Sequence, residues 1–400
     1  MNSIDSPTWF HDWECDSLLC VLASRVTMHR RELLKGLAIA SASTVLSSCA
    51  KKLVKATASQ PLCLPRVNVS ADRIIRSICG LRPYRRSGFV VRSEQIGDSL
   101  VVHNYGHGGA GITLSWGTAK LAVDLGAPGH GGPVAVLGSG AVGLSTARLL
   151  QDSGFQVTIY AKDLPPNTTS NVAGGFWYPV TLFQDQFRTT AFNDQFAKAC
   201  NFAFARFQTM VGSRYGVRWT SSFRLGHSAF PDTGDFSRQG LAGRLTPEFR
   251  DLGPGQHPFA GYEFVRTFDT MLIEPPIYLT ALMQDFLMAG GKVQVREFHE
   301  TAEISRLPER LVFNCTGLGA KALFKDEELT PVKGQLTFLL PQPEIEYSVI
   351  PGDLYMFSRH DGIVLGGTHD EGVWSLDVDN QVRDQIVAKH KEFFDSMRAC

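Results

Sequence analysis

Val134-Ala135-Val136-Leu137-Gly138-Ser139-Gly140-Ala141-Val142-Gly143 is the stretch that decides how this chain is read. Pro133 to Leu137 reads as a short buried strand, and the glycines follow at the GxGxxG spacing. In that pattern Gly138 makes the tight turn, Gly140 lets backbone approach a pyrophosphate, and Gly143 lets helix and strand pack closely. Ser139, Ala141 and Val142 complete the turn, whose helix aims unpaired N–H groups at phosphate. Taken alone the motif is weak, because a ligand-free βαβ packing turn uses the same glycines. The helix continues with Leu144, Ala147 and Leu150 on one stripe and stops at Gly154. A second strand follows, from Phe155 to Tyr160. The carboxylate that usually meets a ribose at this point is displaced: the chain reads Tyr160-Ala161-Lys162-Asp163. Asp163 is the ribose candidate, and Lys162 is a candidate for phosphate.

Around this core lie 400 residues, enough for two or more domains. Hydrophobic residues make up 44% of the chain, ample for a core. Thirty-nine Lys and Arg balance 39 Asp and Glu, and no basic run carries interleaved aromatics, so nucleic acid is not an expected partner. The eight cysteines form no paired CxxC, so no metal site is expected.

The N-terminus has the character of a targeting segment. Arg30-Arg31-Glu32-Leu33-Leu34-Lys35 resembles a twin-arginine signal, and the apolar run that follows it is too short to span a bilayer. Leu46-Ser47-Ser48-Cys49 resembles a lipobox. Export to the periplasm, with lipid anchoring to the membrane through Cys49, is the expectation; Met28 competes with Met1 as the true start.

Two more blocks precede the GxGxxG turn: Gly80-Leu81-Arg82-Pro83 and His103-Asn104-Tyr105-Gly106-His107-Gly108-Gly109. Others follow it: Thr168-Thr169-Ser170-Asn171-Val172-Ala173-Gly174-Gly175-Phe176-Trp177, Asn314-Cys315-Thr316-Gly317, Lys333-Gly334-Gln335, Leu354-Tyr355-Met356-Phe357-Ser358-Arg359 and Gly366-Gly367-Thr368-His369. Together these resemble the D-amino-acid oxidase family of FAD enzymes. The two early blocks normally close that family's chain, so this sequence reads as a circular permutant of it. The Gly/Pro stretch at 127–133 would join the usual last helix to the usual first strand.

The resemblance implies an α/β fold, with a Rossmann-like FAD-binding domain and an antiparallel-sheet substrate domain. It implies that FAD is held by the 138–143 turn, by Thr168, Thr169, Ser170, Gly174, Gly175 and Phe176, and by Gly108, Gly109, Gly111, Ile112 and Thr113. Arg82 matches the arginine that grips the substrate carboxylate, and Tyr355 the tyrosine whose hydroxyl meets it. Gly109 and His369 would touch substrate, with His369 tuning side-chain preference. Residues 341–353 would form a lid, with Tyr347 as an aromatic wall. Ser358 departs from the family, which usually has Pro there.

The expected organisation is a leader over 1–49, a linker over 50–70, the permuted segment over 71–126 and its Gly/Pro joint over 127–133. The FAD-binding core follows over 134–183, then mainly substrate domain over 184–293. FAD-domain strands over 294–340, substrate domain over 341–376 and a terminal helix over 377–400 complete it. The implied activity is oxidation of D-amino acids by hydride transfer to flavin, giving imino or keto acid, ammonia and, with dioxygen, hydrogen peroxide. A dehydrogenase or glycine-type oxidase using another acceptor stays open, as do a flavoprotein without turnover and homo-oligomerisation.

Overall fold

The computed structural model describes residues 62–399. The leader, with its Arg30-Arg31 pair and Cys49, lies outside the described residues. In chain order the elements are β1 (Ile74–Tyr84), β2 (Val90–Ile96), β3 (Ser99–Tyr105), α1 (Gly111–Gly126), β4 (Val134–Leu137), α2 (Ala141–Asp152) and β5 (Val157–Ala161). Next come α3 (Thr190–Gln208), β6 (Val217–Gly226), β7 (Arg250–Leu252), β8 (Phe264–Ile273), α4 (Pro275–Met288), β9 (Lys292–Val295) and β10 (Leu311–Asn314). The chain continues through β11 (Thr330–Leu339), β12 (Tyr347–Pro351), β13 (Tyr355–Arg359), β14 (Gly362–Gly366), β15 (Asp370–Glu371) and α5 (Asn380–Ser396).

One sheet has the order β2-β3-β10-β4-β5-β9, parallel throughout except for the β2/β3 pair. Alternate side chains of a strand face opposite sides. Val134 and Val136 accordingly enter one core cluster, with α1, α2 and α3, while Ala135 and Leu137 enter another, with Ile304, Leu307 and Val312. Burial on both faces is why this strand is a continuous apolar run rather than an alternating one.

The second sheet has nine strands, in the order β1-β11-β14-β13-β12-β6-β8-β7 with β15 beside β11. Its neighbours are antiparallel except for β12 and β6. One face carries Leu336, Phe338, Phe357 and Val364. The other, with Leu339, Met356, Ile363 and Leu365, is covered by α5 and by residues 62–69.

The early segment is woven into both sheets. β1 pairs with β11, and β3 runs parallel to β10, which itself lies against β4. The end of α5 meets the chain just before β1: the Arg66 guanidinium donates to the Met397 carbonyl, and Val67, Val69 and Met397 share one core. The 127–133 stretch links α1 directly to β4.

Two expectations are corrected. Residues 341–353 are not a lid, because they contain β12, an inner strand between β13 and β6. Tyr347 is buried on the far side, where its hydroxyl donates to the Pro65 carbonyl at 2.9 Å. The parallel pairing with β6 supplies partners that a proline-flanked polar segment does not announce. The layer boundaries also shift: β11 belongs to the mixed sheet, not to the FAD-domain strands, and β9 begins the return to the parallel sheet at Lys292.

Candidate active site

The β1/β11 register sets Gly80 opposite Gly334 and Arg82 opposite Val332. The Arg82 side chain folds over Gly334, where an added Cβ would lie 2.5 Å from Nη2. From there Nη1 donates to the Thr368 carbonyl at 3.3 Å and Nη2 to the Tyr355 hydroxyl at 3.4 Å. Tyr355 stands opposite Gly366, and a Cβ on that glycine would lie 2.1 Å from Cζ of the tyrosine ring. Two bare backbone positions thus seat the two side chains. No ion pair to a carboxylate accompanies Arg82 among the described residues, so its fork is open to an anion.

An aromatic stack leads away from this pair. Phe357 lies on Tyr355 at 4.9 Å and 22°, and Phe176 on Phe357 at 4.9 Å and 6°. Phe176 closes the segment that began at Thr168. Behind it, Arg359 is nearly fully buried; it grips Asp361 through two hydrogen bonds of 2.8 Å and donates Nη1 to the Ala173 carbonyl at 3.0 Å. Gly175, at φ +83°, passes so close to β8 that a Cβ would lie 1.9 Å from the Ile273 carbonyl. Ser358, standing where the family usually has Pro, uses its hydroxyl to donate to the Ile345 carbonyl.

The 108–113 segment joins the same place. Gly109 donates its N–H to the Thr181 carbonyl at 3.0 Å, and a Cβ on Gly108, at φ +53°, would lie 2.0 Å from that oxygen. Thr113 donates its hydroxyl to the Phe176 carbonyl at 3.4 Å. Gly111 and Ile112 begin α1, which has no side-chain cap. Thr181 has φ +53°, a conformation threonine seldom adopts. Nothing in its type signals this role, and sequence reasoning passed it over; Arg359 and the cradling function of Gly334 and Gly366 were missed in the same way. The Thr181 hydroxyl lies 3.4 Å from Nε2 of His369. Desolvation, reinforced by the nearby Arg82 charge, holds His369 below the ordinary imidazole range. Burial alone pushes His107, whose Nε2 lies 2.8 Å from the Thr118 hydroxyl, down to about 3.

At the nucleotide end Gly138 has φ +104°, and its Cβ would lie 2.5 Å from the Cys315 carbonyl. A Cβ on Gly143 would lie 2.1 Å from the Gly138 carbonyl. Helix α2 has no cap from its own first residue; the Ala141 N–H is met instead by the Ser170 hydroxyl at 3.0 Å. A Cβ on Gly140 would lie 2.9 Å from that hydroxyl oxygen. The 138–143 turn and the 168–170 segment therefore share one open helix N-terminus, with the Asn314-Cys315 strand end beside it. Ser139 donates to the Asp163 carbonyl at 2.6 Å, which places the Asp163 carboxylate just past β5. These residues fit FAD: tight glycine backbone for the pyrophosphate at one end, and the Gly108/Thr113 segment with its aromatic neighbours at the other. Lys162 is exposed, and its ammonium lies 3.5 Å from a Glu297 carboxylate oxygen.

Comparison with known proteins places the chain in a family. The DAO family model, described as FAD dependent oxidoreductase, matches residues 50–125 and 133–399. A D-amino-acid oxidase of Rubrobacter xylanophilus is 30% identical over 260 residues, covering 64% of this chain and 74% of the relative. A D-aspartate oxidase of Homo sapiens is 28% identical, covering the same shares. Among solved structures, glycine oxidase from Geobacillus kaustophilus overlaps with a TM-score of 0.49 at 16% identity, over 67% of this chain and 80% of that one. The chain belongs to the DAO family of FAD-dependent oxidoreductases.

Proposed function

We propose that the protein oxidises D-amino acids to imino acids, which water converts to keto acid and ammonia, with dioxygen as the final acceptor giving hydrogen peroxide. The observation that carries this reading is the 3.4 Å approach of Arg82 to Tyr355, from opposite ends of the chain, beside the segments that fit FAD. FAD, when bound, supplies the hydride acceptor. Arg82 holds the substrate carboxylate by its planar fork, which fixes orientation as well as charge. The Tyr355 hydroxyl donates to the same carboxylate. Phe357 and Phe176 wall the pocket and exclude water. His369, whose charged form the Arg82 guanidinium disfavours, faces the substrate side chain beside Thr181. No general base is required, because the neutral amine form of the substrate carries the leaving hydride. The decisive assay is peroxide release in air from paired D- and L-amino acids. D-selective peroxide supports the reading; turnover only with an added artificial acceptor would favour a dehydrogenase instead.

The same reading includes a circularly permuted chain order. It is supported by the close approach of Met397 to Arg66, which sets the end of α5 beside the segment leading into β1. It also includes export through Arg30-Arg31, with anchoring at Cys49. A Lys-Lys variant is expected to stay in the cytoplasm with flavin bound, and unchanged export would remove the twin-arginine reading.

A further inference from the structure

His390 lies on α5, on the face of the mixed sheet opposite the site, and is completely buried. Its Nδ1 is 2.8 Å from the Ile386 carbonyl and its Nε2 is 3.1 Å from the Tyr355 carbonyl. Both neighbours are acceptors, and a neutral imidazole has a single N–H to give. Burial holds His390 below the ordinary imidazole range, against the pull of the two carbonyl contacts. The Ile386 carbonyl already accepts the backbone N–H four residues on, which is that of His390 itself. The Tyr355 carbonyl sits at the first residue of β13, where ladder pairing begins.

We propose that His390 is a positioning residue for the substrate site: its imidazole, seated between the Ile386 and Tyr355 carbonyls, holds the Tyr355 backbone and so fixes the start of β13, and with it the tyrosine hydroxyl that faces Arg82. The sheet is one strand thick at this point. A shift of the Tyr355 backbone on the α5 side moves its ring on the Gly366 side, where contact is already tight. The hydroxyl would then leave the 3.4 Å contact with Arg82. The terminal helix thereby acts on substrate binding without touching substrate. This inference rests on the reading of Tyr355 as a substrate group.

The test compares His390→Met, which fills the space without a donor, with His390→Gln, whose amide nitrogen reaches about as far as Nε2. Both are purified as holoprotein. With D-alanine and D-aspartate as probes, His390→Met should raise KM about three- to tenfold, as loss of one hydrogen bond would. Its kcat should change little, and His390→Gln should stay near wild type. Hydrogen–deuterium exchange of peptide 354–359 should be faster in the Met variant and restored in the Gln variant. That readout needs no turnover, so it separates this inference from the choice of substrate. Unchanged exchange in the Met variant would overturn the positioning role. Faster exchange with unchanged KM would show that His390 holds β13 but not the substrate site, and would overturn it equally. If His390→Met loses flavin or fails to fold, equal loss in His390→Gln rejects the positioning role, and a folded, normal Gln variant supports it.

Discussion

Arg82 reaches Tyr355 across 273 residues of sequence, and two glycines make the meeting possible. If Arg82 grips the substrate carboxylate, Arg82→Ala should leave a yellow, folded protein and raise KM steeply. Truncating one partner of a buried charge-assisted pair costs about 2–5 kcal/mol. Tyr355→Phe removes one hydrogen bond and should cost about 1 kcal/mol in kcat/KM. The seating can be tested without touching either side chain. Gly366→Ala places a methyl inside the Tyr355 ring position and should impair substrate binding more than Tyr355→Phe does. Gly131→Ala, with open space around it, should change nothing in the same steady-state assay. The meeting of Arg82 and Tyr355 was legible in the sequence because each stands in a block with a fixed neighbourhood. Thr181 and Arg359 were not, since a positive φ on threonine and a clamp on the Ala173 carbonyl arise only from contacts distant in sequence.

The β4-α2-β5 unit was readable to within about two residues at each end, because its strand, turn and stop are set by local chemistry. β12 was not. Its flanking prolines and acidic residues resemble a loop, and its strand state comes from pairing with β6 and β13. The nucleotide end offers a test at this scale. Ser170→Ala removes the hydroxyl that meets the first N–H of α2. Loss of a helix-terminal cap costs about 1 kcal/mol, so the variant should melt slightly earlier and release FAD more readily on dialysis. Unchanged flavin retention would mean that the 168–170 segment does not shape the phosphate turn.

Across the whole molecule, several imidazoles titrate low: the buried His103, His107, His257 and His390, and the exposed His369, all lie below their ordinary value, each chiefly through desolvation. The unfolded chain therefore binds protons first as pH falls. Stability is full above the ordinary value of 6.5 and is lost on acidification, down to about 3 in the case of His107. The melting temperature should fall between pH 7 and pH 4, and His107→Gln should flatten that fall. Chain order can be tested on the same scale. A chain beginning at Val134, with Met397 joined by a short linker to Arg66 and ending at Gly126, should fold, bind FAD and keep its kcat/KM. An insoluble, colourless product would argue against the permuted reading.

The central claim is that Arg82 and Tyr355 form one carboxylate site facing bound FAD. Its most direct test is anaerobic mixing of the holoprotein with D- and L-alanine and with D- and L-aspartate, following the visible flavin absorbance. Rapid bleaching by a D-enantiomer, absent with its L-partner and lost at the same concentration in Arg82→Ala, is the predicted result. A flavin that stays yellow with every D-amino acid, or bleaches equally fast in Arg82→Ala, would contradict it.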